Sequence, residues 1–373
     1  MDITRPLPLL GGLSPETFMR RHWHKRPLLV RQALPGVAPP LPRRELFALA
    51  ARDDVESRLV EQRGEAWHVR QGPLPRRALP PLSRDGWTLL VQGLDLHNDA
   101  AHELLSRFRF VPDARLDDLM LSYATHGGGV GPHFDSYDVF LIQVQGARRW
   151  RVGRGRDLTL RDDVPLKILA NFEPEHEWLL EPGDMLYLPP RWAHDGVADG
   201  ECMTCSVGFR APSAQELAHD VLQRLLEGLD EPSRDARYRD PAQAATAAPG
   251  RVPQALQGFA HDAVAALLAD PRRLDSALGE WLSEPKPTVW FEPGQALRAG
   301  SGAQLDRRTR MLYDARHAFI NGEAFVASGR DATLMRKLAD ARHLSARDVA
   351  ALSPAARELL GDWAAAGWVH AGG

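Results

Sequence analysis

Gly131-Pro132-His133-Phe134-Asp135-Ser136-Tyr137-Asp138-Val139-Phe140-Leu141-Ile142-Gln143 is the stretch that decides the fold. It sets two metal-binding side chains, His133 and Asp135, shortly before an apolar run from Val139 to Ile142. In extended chain, residues two apart project to the same side. His133 and Asp135 can therefore reach one ion without strain, and burial of the apolar strand fixes them. A third ligand stands in Glu181-Pro182-Gly183-Asp184-Met185-Leu186-Tyr187-Leu188-Pro189-Pro190-Arg191-Trp192-Ala193-His194. A turn at Pro182-Gly183 starts a strand, two prolines end its pairing, and a short loop is expected to present His194. Two imidazoles and one carboxylate hold Fe(II) on one side and leave the other side open.

Working outward, residues 115–210 read as short strands separated by turns. The strands are Met120–Tyr123, Asp138–Gln145, Arg148–Val152, Trp178–Leu180, Met185–Leu188 and Met203–Phe209. Turn signals fall at Gly127-Gly128-Gly129, Gln145-Gly146 and Pro182-Gly183. This spacing predicts a β-sandwich or barrel, closest to a double-sheet jelly roll of the cupin type. Ahead of it, Ser14-Pro15 opens a helix as N-cap and N1. Extended segments at Pro27–Val30 and Trp87–Val91 and a short helix at Ala100–Phe108 follow.

From Ala214 the apolar period changes to helical, with Leu217, Val221, Leu222 and Leu225 on one stripe. Leu256, Phe259, Val264, Leu267 and Leu268 form another. Such stripes ordinarily mark core, but a unit this small can also bury its remaining face against a second copy. Beyond 285, Asn321-Gly322 is a strong hairpin turn signal. Helices expected over Thr333–Ala341 and Ser345–Ala366, then a strand at Trp368–His370, complete a winged-helix-like unit. The fold expected is α+β in three parts. They are a jelly-roll domain over 1–212, with 1–90 as an N-terminal extension, a helical domain over 213–284, and a winged-helix-like domain over 285–373.

The segment Gly146-Ala147-Arg148-Arg149-Trp150-Arg151-Val152 adds a second chemical element. Alternation puts Arg148, Trp150 and Val152 on one side and Arg149 and Arg151 on the other. The side with Trp150 and Val152 is apolar, so Arg148 is the buried arginine. An unpaired buried guanidinium is costly, and a carboxylate bound by both its nitrogens satisfies it. A 2-oxo acid can chelate two positions of a three-ligand iron, leave one for dioxygen, and offer its far carboxylate to Arg148. An internal ion pair with Asp or Glu is the alternative. Ser122 is a candidate hydroxyl donor to the same carboxylate.

Bulk composition narrows the classes further. The 373 residues carry a net charge of -3, with 44% hydrophobic and 25% charged residues, which is ordinary globular composition. Nothing in the overall charge or in the C-terminal helices calls for direct nucleic-acid binding. No apolar run reaches the ~20 residues that span a bilayer, and the N-terminus does not read as a signal peptide, so a cytoplasmic protein is expected. The two cysteines form Cys202-Met203-Thr204-Cys205. On a strand they face opposite ways, which favours two buried thiols over a redox pair or half a zinc site. His126 and His176 lack a partner motif and are expected at the surface.

The frames G-P-H-F-D-S-Y-D-V-F-L-I-Q, G-A-R-R-W-R-V-G and G-D-M-L-Y-L-P-P-R-W-A-H together resemble the Jumonji-C ribosomal oxygenases, in particular their bacterial arginine-hydroxylase branch. Many Jumonji-C relatives carry Lys where this chain has Arg148, and Arg keeps the charge. The resemblance implies an Fe(II)- and 2-oxoglutarate-dependent dioxygenase, with His133, Asp135 and His194 as iron ligands and Arg148 with Ser122 on the co-substrate. It implies dioxygen as oxidant, a large-subunit ribosomal protein as substrate, hydroxylated on an arginine, and a homodimer through helices in 214–283. For an arginine target, acidic and aromatic groups should line the mouth, and Tyr137 and Asp138 are the candidates. The rivals are an oxygenase acting on another protein or RNA, and a metal cupin or regulator without oxygenase chemistry.

Overall fold

The structure is a computed structural model and describes residues 2–227, 237–298 and 300–372. These fall into two compact units, Met1–Ala211 with Pro287–Trp290 and Pro212–Lys286 with Phe291–Gly373.

In the first unit, α1 (Pro15–Arg21) starts as the sequence predicts, with the Ser14 hydroxyl accepting the Thr17 N–H at 3.2 Å. There follow β1 (Leu28–Val30), α2 (Arg43–Leu49), β2 (Ser57–Arg63), β3 (Ala66–Gln71), β4 (Trp87–Val91), α3 (Asp99–Ser106) and β5 (Leu116–Ala124). Then come β6 (Val139–Arg154), β7 (His176–Leu180), β8 (Met185–Leu188) and β9 (Trp192–Phe209). They form one antiparallel sheet in the order β1-β8-β6-β9-β5-β4-β2-β3, with β7 pairing the second half of β6. The long strands β6 and β9 run beside each other throughout and bend together into the two layers of the jelly roll.

The two sides of β6 explain the layering. Val139 and Leu141 point inward with Leu186 and Leu188. Phe140 and Ile142 point outward into a larger core, where the Phe140 ring lies 4.9 Å from Tyr187 and 5.5 Å from Phe18. Pairing with β9 then slips between Gln143 and Ala147. Such a bulge switches which residues face inward. Before it the odd-numbered residues are inside, and after it Arg148, Trp150 and Val152 are. Gly146 makes this possible, because at φ +60 a Cβ there would lie 2.1 Å from the Glu201 carbonyl oxygen.

One expectation for this unit is revised, and one hairpin is added. His194 does not sit on a loop. Arg191, at φ +66, turns the chain after Pro189-Pro190, and β9 begins at Trp192, so the histidine is already on a strand. The hairpin β2–β3 was not anticipated, because its exposed strand β3 lacks an apolar alternation.

The second unit contains α4 (Ala214–Glu227), α5 (Gln254–Leu268) and α6 (Pro271–Ser283). Then come β10 (Gly302–Leu305), β11 (Met311–Tyr313), β12 (His317–Ile320), β13 (Glu323–Val326), α7 (Gly329–Ala341), β14 (His343–Leu344), α8 (Ala346–Ala351), α9 (Pro354–Ala365) and β15 (Val369–Gly372). Asn321-Gly322 turns β12 into β13 with both φ positive, as that dipeptide requires. Ser345 and Asp348 close a capping box that starts α8 where the helix is expected, but Leu352 turns extended and Ser353-Pro354 caps and starts α9, so the long helix expected from Ser345 is two. Leu225 on α4 is buried, but α5 buries no residue, and Leu256, Phe259, Val264 and Leu268 are exposed rather than core.

Candidate active site

His133, Asp135 and His194 come together. One ligand atom from each lies within 4.8 Å of the other two, and the two imidazole centroids are 4.3 Å apart. His194 Nε2 is 3.7 Å from an Asp135 carboxylate oxygen. His133 pairs as an isolated bridge with His194: the His133 N–H donates to the His194 carbonyl at 2.9 Å and the His194 N–H donates back at 2.8 Å. The Arg191 N–H donates to the Asp135 carbonyl at 2.8 Å, and the Leu169 N–H to that of Pro132 at 2.7 Å. Backbone bonds from a strand, a turn and a loop thus hold the segment ahead of β6.

Each ring is also oriented. His133 Nδ1 meets the Gly131 carbonyl at 2.9 Å and His194 Nδ1 meets the Trp192 carbonyl at 3.0 Å. A carbonyl can only accept, so Nδ1 carries the proton and Nε2 keeps its lone pair. Burial, helped by the neighbouring His133, lowers the His194 pKa to about 4, so the ring is neutral at physiological pH. Two neutral imidazole nitrogens and a carboxylate oxygen on one side suit a divalent first-row metal.

Arg148 is 5% exposed on the inner side of β6, and its Nε and one terminal nitrogen have no partner. Its guanidinium lies over Trp150 at 5.8 Å, and Trp150 lies 5.8 Å from the His194 ring. No ion pair with Asp or Glu joins Arg148 among the described residues, so the internal-pair alternative finds no support there. Ser122, on β5, is buried and donates to the Thr204 carbonyl at 3.2 Å.

Of the two residues expected at the mouth, Tyr137 is 39% exposed. Burial and the charges of Asp135, Asp118 and Asp117 raise its pKa. Asp138 is a correction. It shares the outward parity of Phe140, is fully enclosed, and accepts the Tyr187 hydroxyl at 2.5 Å while facing His24 Nε2 at 3.0 Å. Burial raises its pKa. The acids around Tyr137 come instead from β5. A Cβ on Gly208 would lie 3.8 Å from Asp118 and 4.0 Å from the Tyr137 ring, so the two are close neighbours; Asp118 is buried and accepts the Gly93 N–H at 2.9 Å. The consecutive Asp117-Asp118 at the start of an apolar strand was the available signal.

The G-D-x-x-Y frame is a clamp. Asp184 accepts the Gln32 N–H at 3.0 Å and pairs with Arg31 at 2.5 Å, which joins the N-terminal segment to β8. Cys202 and Cys205 are free, buried, and in separate clusters, and burial pushes the Cys205 thiol up. His126 and His176 are exposed.

Residues 103–217 match the JmjC domain family and residues 266–370 the ROXA-like winged helix family. The chain is 35% identical over 333 residues to the ribosomal protein uL16 3-hydroxylase of Escherichia coli, covering 84% of this chain and 86% of that one. It belongs to the JmjC-domain ribosomal oxygenases. A probable ribosomal oxygenase of Haemophilus influenzae is 38% identical over 214 residues, 56% of this chain and 52% of that one. The structure of the E. coli ribosomal oxygenase YcfD in complex with cobalt and 2-oxoglutarate superposes with a TM-score of 0.81 at 30% identity, covering 97% of this chain and 99% of that one. Membership accounts for the jelly-roll core, the helices and the winged helix. Among the described residues, no helix is long and apolar enough to cross a membrane.

Proposed function

We propose that this oxygenase uses Fe(II), 2-oxoglutarate and dioxygen to hydroxylate an arginine of a large-subunit ribosomal protein at C3. The observation that carries the reading is Arg148, a buried guanidinium with unsatisfied nitrogens on the inner side that also bears Trp150. An inner cation of this kind fits a dicarboxylate co-substrate and has no use in a cupin that binds only a metal. His133, Asp135 and His194 would hold the metal, and Arg148 with Ser122 the distal carboxylate. The Ser122 hydroxyl would have to leave the Thr204 carbonyl or accept from Arg148. Bound Fe(II) supplies oxidative decarboxylation of the co-substrate to succinate and carbon dioxide, with one oxygen atom inserted into an unactivated C–H bond.

The chain's own share is positional. The Nδ1–carbonyl bonds keep both rings aimed, and the apolar inner side around Leu141, Leu186 and Val152 excludes water. Tyr137 and Asp118 offer an aromatic face and a carboxylate to a guanidinium. A ribosomal-protein substrate would put the enzyme in the cytoplasm. The three-part division at 212 and 284 goes with this reading, the middle part serving dimerisation. The uncovered side chains of α5 favour a homodimer through helices in 214–283. The reaction is tested by succinate release that needs both Fe(II) and 2-oxoglutarate and rises when a large-subunit ribosomal protein is added. Release that ignores Fe(II) would refute it.

A further inference from the structure

Beside the metal-binding segment lies a depression of about 710 Å³ lined by Arg63, Arg70, Arg77, Arg84, Glu61 and Trp67, among others. Four arginines against one glutamate leave a formal excess of three positive charges. They fall in one short stretch of the chain, and the hairpin brings them together. Arg63 and Arg70 stand on the same side of the β2–β3 hairpin as Glu61. Arg77 and Arg84 come from the segment that follows it.

Glu61 is nearly enclosed, and three guanidiniums converge on it. Arg63 lies at 3.0 Å, Arg84 at 3.2 Å and Arg70 at 3.6 Å. One carboxylate cannot compensate three arginines, and each guanidinium has five N–H donors. Arg63, Arg70 and Arg84 are all about half exposed, and Arg70 also donates to the Ala78 carbonyl. Multidentate oxyanions fit such a cluster, because guanidinium and phosphate match geometrically. Trp67 pairs with Gln62 and so projects from the other side of the hairpin, away from the three guanidiniums. On that other side it meets the ligand segment, since a Cβ on Gly131 would lie 3.3 Å from Trp67, so the hairpin carries the arginines on one side and abuts the metal-binding segment on the other.

We infer that this depression binds phosphates of an RNA strand next to the active site. The overall charge of -3 hides the site because the excess is local. Its placement would let the enzyme meet a ribosomal protein already bound to RNA. That last step rests on the proposed function, whereas the binding itself does not.

The test is fluorescence anisotropy of the full chain with a labelled single-stranded RNA, across salt. Neutralising about three phosphates predicts a slope of log affinity against log salt near −2. Arg77→Glu with Arg84→Glu should cost about tenfold or more in affinity and leave 2-oxoglutarate turnover without RNA unchanged. If the reversed charges disturb the fold, turnover falls, and Arg77→Gln with Arg84→Gln carries the same expectation. RNA binding that these variants do not weaken, or no RNA binding, overturns the inference. So does polyglutamate binding as tightly as RNA, which would make the site one for acidic peptide. A mononucleotide matching the strand would also overturn it, by making the ligand a free nucleotide. Loss of turnover in wild-type enzyme with RNA binding intact would overturn the proposed function and leave this inference standing.

Discussion

His133 and His194 are hydrogen-bonded to each other through both backbone N–H groups, and each ring is held by the carbonyl two residues before it. The same small device is thus used twice, on a pre-strand segment and at the start of β9. Ring orientation depends on where two carbonyls point, and one of them belongs to Gly131 at φ +79.

Gly131→Ala should therefore weaken metal binding without touching a ligand. The new Cβ would meet Ile168 at 2.8 Å, and the left-handed backbone itself costs about 1–2 kcal/mol for a residue with a side chain. If the carbonyl shifts, loss of ring orientation should reduce metal affinity about 10- to 100-fold. Titration with Co(II), followed by its visible absorption, reads this out. Unchanged affinity would mean that the Gly131 carbonyl does not orient His133.

Arg148→Ala should raise the 2-oxoglutarate requirement about tenfold to over a hundredfold, the worth of one charge-assisted pair of ~1.5–3 kcal/mol. Metal affinity should stay near wild type. The measurement is KM for 2-oxoglutarate at saturating metal. A wild-type KM would put the far carboxylate elsewhere.

Asp118 and Asp138 are both buried and hydrogen-bonded, but only Asp118 lies beside Tyr137, so the two should differ in substrate kinetics. Asp118→Asn should raise KM for an arginine-containing substrate while 2-oxoglutarate turnover without substrate persists. Asp138→Asn should act on stability instead, since its carboxyl meets Tyr187 and His24 inside the fold. Substrate kinetics and thermal melts separate the two. A substrate defect in Asp138→Asn with a normal melt would contradict this division.

These residues mark how far the chain could be read before its structure was known. Arg148 was legible because alternation was counted locally from Trp150 and Val152, downstream of the bulge. Tyr137 and Asp138 cannot both reach the mouth, because neighbours on extended chain point opposite ways, and it is Asp138 that turns into the fold. The β6–β9 register, set by contacts with residues far along the chain, could not be read from either segment alone. The four arginines are close in sequence, and their cluster is legible only once the β2–β3 hairpin that folds them together is known. The apolar stripe of α5 was legible as a stripe, but period alone cannot say whether its own chain covers it.

Phe259 is 37% exposed and Val264 59% exposed on α5, although the Tyr238 ring lies 5.6 Å from that of Phe259. Phe259→Glu with Val264→Glu should convert a dimer to monomer, because a buried unpaired carboxylate costs several kcal/mol. Light scattering gives the mass directly. A dimer that survives both changes would move the interface off α5.

The most direct measurement is intact-mass spectrometry of large-subunit ribosomal proteins incubated with the enzyme, Fe(II), 2-oxoglutarate and dioxygen. The account predicts that one protein gains one oxygen atom, that fragmentation maps it to an arginine, and that His133→Ala abolishes the gain. No gain on any ribosomal protein, or a gain that His133→Ala leaves intact, would contradict it.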